Sequence, residues 1–266
     1  MTHNLTLTDG EDPVHPRPTT PDQRRRRTVV QYLGGKSRIS KAISETMLGV
    51  RDPEQHTTYL EPFVGGGAVF TRMAPHFDRA IAADTHEDLI LMWQAVKEGR
   101  VPPDILTEAE YQELRHAEPS ARRAFAGFGC SFSGKWFGGY ARPSSYGQDY
   151  VGGSSRVVRR QAPAFRDAEV LRADYREFSP GSDTLVYCDP PYADTTGYST
   201  GDFDSAEFWQ TMQEWHDNGA LVFVSEYQAP PMWTPVWEKE IKVMIAIAEA
   251  GSARKYDSKT ESLWSL

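Results

Sequence analysis

The chain has 266 residues, of which 39% are apolar and 25% charged; that is enough for one large core and excludes wholesale disorder. Two cysteines, Cys130 and Cys188, exclude a disulfide framework, and a reduced, cytoplasmic setting is the expectation. Apolar runs such as Val243 to Ala248 are too short to span a bilayer, and no apolar signal core opens the chain, so no membrane partner is expected.

The net charge of −8 speaks mildly against a nucleic-acid partner, but it is unevenly spread. From Arg115 to Arg160 there are eight Lys/Arg and two acids, a balance of +6 that leaves −14 for the remainder. A basic segment in an acidic protein suits a local phosphate-contacting face, with Arg142, Arg156, Arg159 and Arg160 as candidates; the alternative is a solvated basic surface.

In chain order, residues 1–28 are rich in Pro, Thr, Asp and His, lack periodic apolar residues, and read as a disordered arm that ends in four arginines. Gly34-Gly35-Lys36 then precedes a helix predicted over Arg38 to Leu48, a tight turn offering backbone N–H groups and one cation. Its glycine spacing is not that of a P-loop. Thr57 to Val64 reads as a strand, followed by Gly65-Gly66-Gly67 and a helix over Ala68 to Met73. Strand, glycine turn and helix start bring backbone close to an adenosine-bearing ligand, although a plain structural turn has the same pattern. Arg79 to Asp84 is a second strand ending in an acid, placed to bind ribose hydroxyls. A helix over Thr85 to Val96 follows.

The pattern changes from Gly99 to Pro163. Two helices are predicted, over Glu108 to Ala117 and Ser120 to Phe128. Cys130 to Arg142 then interleaves aromatics, glycines and cations. Such a loop suits base stacking or insertion into a groove through Lys135, Trp136 and Tyr140, or is simply a packing device. Strands resume at Val170 to Asp174 and Thr184 to Asp189. Asp204 is a natural N-cap for a helix over Ser205 to Asp217, with Glu207 at the third position. Ala220 to Ser225, Trp237 to Ile247 and Glu261 to Leu266 are further strand candidates.

Chemistry concentrates at Asp189-Pro190-Pro191-Tyr192. The prolines lack the N–H that a central strand needs, so the strand stops at Asp189 and leaves a carboxylate at its carboxyl end, where α/β sheets place ligands. Asp189 and the Pro190 carbonyl can both accept from one amine, and Tyr192 offers a flat face to a planar base. The alternative is a proline-rich turn that closes an ordinary strand.

Four stretches occur in one order: Tyr32-Leu33-Gly34-Gly35-Lys36, Leu60 to Gly67, Asp84 with Leu89-Ile90, and Tyr187 to Tyr192. In these the sequence resembles the Dam-like DNA adenine-N6 methyltransferases. The resemblance implies an α/β, Rossmann-like methyltransferase sheet with a small, mainly helical recognition insert. It divides the chain into a cofactor-binding half (29–98), a target-recognition insert (99–163) and a catalytic half (164–266). It implies S-adenosylmethionine as methyl donor. Tyr32, Gly35 and Lys36 would line the donor's methionine end, with Glu61, Pro62, Phe63, Gly65 and Gly67 along it. Asp84 would hold the ribose and Asp174-Tyr175 the adenine. Asp189, also beside the donor, would orient the target N6 amine with Pro190 and Pro191, and Tyr192 would stack on a flipped adenine. Double-stranded DNA is the implied partner and a monomer or weak dimer the implied state, in a bacterial or phage-infected cell, with or without a restriction enzyme; no metal is implied. His86 departs from the family's usual Asn. Lys135 to Tyr140 replaces its Phe-Asn-X-Pro-X-Gly-X-Tyr stretch, so the family's GATC target does not carry over. RNA or protein-glutamine methylation, and a catalytically silent DNA-binding protein, are the rival readings.

Overall fold

The computed structural model describes residues 35–142, 149–191, 203–244 and 256–266. Tyr32, Tyr192, the arm at 1–28 and the loop after Tyr192 lie outside them. Among the described residues, β1 (Thr58–Glu61), β2 (Arg79–Asp84), β3 (Glu169–Arg172), β4 (Thr184–Cys188), β5 (Leu221–Glu226), β6 (Thr234–Met244) and β7 (Tyr256–Ser265) form one sheet in the order β3-β2-β1-β4-β5-β7-β6. The first five strands are parallel; β7 runs antiparallel between β5 and β6. β1 and β4 lie side by side at the middle, Thr58 opposite Thr184.

Strand periodicity divides the core between the two faces. Tyr59, Leu185, Tyr187, Phe223 and Leu263 point to one face, and Leu60, Val186, Cys188, Val222 and Val224 to the other. The first face is covered by α1 (Ser40–Val50), α2 (Phe70–Met73), α3 (Glu87–Lys97) and α6 (Tyr150–Phe165). The second is covered by α7 (Ser205–Asp217) through Phe208, Met212 and Trp215. Asp204 caps α7 as expected, accepting from the N–H groups of Ala206 and Glu207. β1 ends at Glu61, short of the expected Val64, because Pro62 cannot donate to the ladder.

Between β2 and β3 lie α4 (Glu108–Arg115), α5 (Ala121–Ala124) and α6. α4 carries a full capping box between Thr107 and Glu110. The helix expected over Ser120 to Phe128 keeps only one α-turn and then widens into a π-turn over Phe125–Gly129. The cause is Trp136: a Cβ on Gly127 would lie 2.3 Å from its ring, so the glycine and the wide turn make room for the indole. α6 has no counterpart in the sequence reading, which placed no helix over Tyr150–Phe165. The glycine is the device that starts the helix: its N–H donates to the Asp149 cap, and a Cβ on Gly152 would lie 2.2 Å from that carboxylate. The boundary expected at 163/164 therefore falls inside a helix. α6 is buried against α2 and α3, where Phe165 stacks on Trp93 at 4.1 Å.

Candidate active site

Four carboxylates stand at the carboxyl ends of the parallel strands. Glu61 ends β1, Asp84 ends β2, Asp189 follows β4 directly, and Glu226 ends β5. Strand termination puts them there: Pro62 stops β1, and Pro190 and Pro191 stop the ladder after β4. Pro190 is buried, while Asp189 and Pro191 are half-buried.

Asp84 holds the glycine turn. One of its carboxylate oxygens accepts the Gly65 N–H at 3.1 Å and the other the His86 N–H at 2.9 Å. Burial raises its carboxyl to about 6, against the pull of those N–H groups. The same turn is tied from two other sides: Trp93 Nε1 donates to the Gly65 carbonyl at 3.0 Å and Gln161 Nε2 to the Gly66 carbonyl at 2.8 Å. Gly65 and Gly67 have φ of 47° and 65°, a region open to glycine, and a Cβ on Gly67 would lie 2.9 Å from the Phe165 ring. Glu61 is buried and accepts the Tyr59 hydroxyl at 2.6 Å; burial raises its carboxyl well above the usual carboxylate range. Phe63 lies half-buried in an aromatic cluster, 5.5 Å from Tyr175 and 5.9 Å from Phe208. The Asp174 carboxylate lies on Arg176, whose guanidinium holds it below its ordinary range.

Lys36 crosses to the tip of β4. Its ammonium donates to Asp189 Oδ1 at 2.6 Å and lies 3.4 Å from Glu261 Oε1 on β7. Burial alone would lower its pKa, but Asp189 and Glu261 more than offset that and raise it. An opposite charge this close favours the ionised carboxylate at Asp189. Glu226 beside them is raised to about 7, first by burial, with Asp189 and Glu261 adding to the rise. The arrangement brings together Lys36, Glu61, Asp84 and Asp189 from the sequence-based set. It adds Glu226 and Glu261, which that reading missed. Glu226 was visible as an acid ending a strand; Glu261 gave no local signal.

The aromatic and basic residues of 99–163 sit differently from the base-reading expectation. Trp136 is half-buried, with its ring 4.5 Å from His86 and 4.6 Å from Phe128. Phe137 is buried, and Tyr140 donates its hydroxyl to the Leu106 carbonyl at 2.6 Å. Lys135 and Arg160 are exposed. Arg142 forks onto Glu108, Arg156 faces Asp149 at 3.4 Å, and Arg159 faces Asp104 at 3.0 Å. The aromatic side chain that this loop does present to solvent is Phe132, at 63% exposure. Among the described residues no group of three or more His, Cys, Asp or Glu is placed to hold a metal.

A parallel sheet with acids at its strand tips, a pinned glycine turn and an Asp-Pro-Pro corner beside it defines a Rossmann-like methyltransferase. The family model of D12 class N6 adenine-specific DNA methyltransferases matches residues 32–125. The DNA adenine methylase of Haemophilus influenzae is 28% identical over 214 residues, covering 68% of this chain and 71% of that protein. The DNA adenine methylase of Escherichia coli K12 is 26% identical over 277 residues, covering 87% and 93% respectively. The Type II methyltransferase M.MjaIII of Methanocaldococcus jannaschii is 36% identical over 70 residues, covering 26% of this chain and 24% of that one. The chain is thus similar to DNA adenine-N6 methyltransferases, by the family model over residues 32–125 and by the two DNA adenine methylases over two thirds or more of its length.

Proposed function

We propose that this protein moves the methyl group of S-adenosylmethionine onto N6 of an adenine flipped out of double-stranded DNA. The observation that carries the reading is the Asp189 carboxylate, fixed by Lys36 at the tip of β4 and next to the strand whose tip leads into the glycine turn. The residues fit the donor: Gly65 and Gly67 allow close backbone approach, Asp84 offers a half-buried carboxylate for ribose hydroxyls, and Phe63 offers a ring. When bound, the donor supplies an activated methyl on sulfur. Lys36, Gly35, Glu61 and Pro62 line its methionine side in this reading, and Tyr175 packs behind Phe63 toward its adenine side.

A stacked N6 cannot meet the methyl in line, so the base leaves the helix. Asp189 and the Pro190 carbonyl take the two amine hydrogens, which orients the nitrogen lone pair toward the methyl and raises electron density on nitrogen. Transfer is direct, and most of the rate comes from alignment. Asp174, engaged by Arg176, is partly exposed and retains acceptor capacity on Oδ2 for the donor's adenine. The basic stretch ending in Arg156, Arg159 and Arg160 serves as the phosphate-contacting face. The setting that goes with this reading is the cytoplasm of a bacterial or phage-infected cell, and the protein works as a monomer or weak dimer.

The test is transfer of labelled methyl from the donor to duplex DNA, structured RNA and a glutamine-bearing protein in parallel. The expected product is N6-methyladenine in DNA, identified by mass spectrometry of the nucleosides. Label in RNA or protein alone overturns the proposal, and donor binding with no transfer to any of the three indicates a silent binding protein.

A further inference from the structure

Glu261 lies on the middle strand of the β5-β7-β6 edge, opposite Lys239, one residue before the Glu226–Ser262 pair. It is buried, and by strand periodicity it shares a face with Leu263, which is in the apolar core. An apolar side chain would fill this position without a charge to desolvate, and a lone carboxylate there is unfavourable. The Lys36 ammonium, itself 7% exposed, lies 3.4 Å from Glu261 Oε1. Lys36 in turn holds Asp189 at 2.6 Å. Three charges therefore form a row running from Glu261 on β7 through Lys36 to Asp189 at the tip of β4. The ammonium sits between two carboxylates, and only the Asp189 end opens toward the mouth of the site, at 20% exposure against 3% for Glu261.

We infer that Glu261 is a positioning residue for methyl transfer, anchoring the Lys36 ammonium so that the Asp189 carboxylate is held at one angle to the target amine. This rests on the proposed function and names a further residue of that site. A lysine on four flexible carbons gives a carboxylate no fixed direction by itself. Tethered from behind by a buried acid on a sheet strand, it becomes a rigid support. Glu261 touches neither donor nor base in this scheme; its effect passes entirely through Lys36.

Glu261→Gln, Lys36→Met and the double variant test it in the full chain. Glu261→Gln is expected to lower the single-turnover rate of methyl transfer on the order of 100-fold, the scale of a small misplacement in an aligned site, with donor affinity by calorimetry little changed. Adding Glu261→Gln to Lys36→Met is expected to lower the rate no further. It is also expected to raise the melting temperature above that of Lys36→Met alone, because a buried carboxylate left without its cation becomes a neutral amide. Independent rate losses that multiply in the double variant overturn the inference, as does a double variant no more stable than Lys36→Met. If Glu261→Gln alone does not fold, the thermal comparison of the other two still decides. An unsubstituted chain that methylates no DNA overturns the proposed function and this inference together; an active chain with multiplying losses overturns the inference alone.

Discussion

Glu226→Gln is expected to change how stability depends on pH, and the sign follows from the site. Glu226 ends β5 beside Asp189 and Glu261; burial first, and those two carboxylates next, raise its carboxyl from an ordinary 4.5 to about 7, opposed by the Tyr227 N–H and by Lys36. A folded-state value above the unfolded one means that folding takes up a proton. The stability from this group is therefore fully present below about pH 4.5 and is lost as the pH rises through about 7. At roughly 1.4 kcal/mol for each tenfold change in proton affinity, the rise corresponds to about 3.5 kcal/mol at most. The side chain keeps part of its contact with water, so about 1.5 kcal/mol is a fair lower figure after screening. Glutamine carries no proton to release. Urea denaturation of both proteins across about pH 4 to 8 should show the unsubstituted chain losing stability relative to the variant, with the gap widening by about 1.5–3.5 kcal/mol. Asp84, raised to about 6, titrates in both proteins and cancels in the difference. A gap that stays constant over that range would refute the reasoning and place Glu226 in ordinary solvent.

Asp189→Ala is expected to lower single-turnover methyl transfer by about 1,000-fold or more while calorimetry finds donor binding little changed, because the lost partner is the target amine. Equal losses in both would move Asp189 to the donor site. Gly127→Ala should cost about 1–3 kcal/mol, since its methyl would meet the Trp136 ring at 2.3 Å; an unshifted melting curve would mean that the indole is not seated there. Neutralising Arg156, Arg159 and Arg160 together should weaken DNA binding and flatten its logarithmic salt dependence by less than about three, because DNA must compete with Asp149 and Asp104 for two of them. A slope equal to that of the unsubstituted protein would put the phosphate contacts on another face.

What was legible in the sequence was whatever depends on neighbours along the chain. The prolines after Asp189 announced the end of β4, and so the acid at its tip, whereas Pro62 was read through and β1 was carried to Val64. Asp204 with Glu207 announced α7. What was not legible depends on distant partners. Glu261 looks like any strand residue until β7 is inserted between β5 and β6, which brings it to a lysine near the other end of the described chain. Trp136 and Tyr140 carry the composition of a base-reading loop, but whether an aromatic ring faces DNA or the core is decided by His86, Phe128 and the Leu106 carbonyl. α6 was hidden because helix propensity counts Gly152 and Gly153 against it, whereas burial of Val151, Val158 and Phe165 in the core shared with α2 and α3 outweighs that.

The apolar core of the first sheet face does not stop where the chain leaves β2. Leu106, Tyr111, Phe125, Phe128 and Phe137 are continuous with Tyr59, Phe70 and Trp93. Asp88 on α3 accepts the Ser120 N–H at 2.8 Å and the Arg123 guanidinium at 2.8 Å. Segment 99–163 is thus no detachable cassette. A chimera that received this stretch from a relative of different target preference would inherit a mismatched seam along α3 and α6. The unit that transplants cleanly includes both of those helices, with Asp88 and Phe165 travelling together with the loop they support.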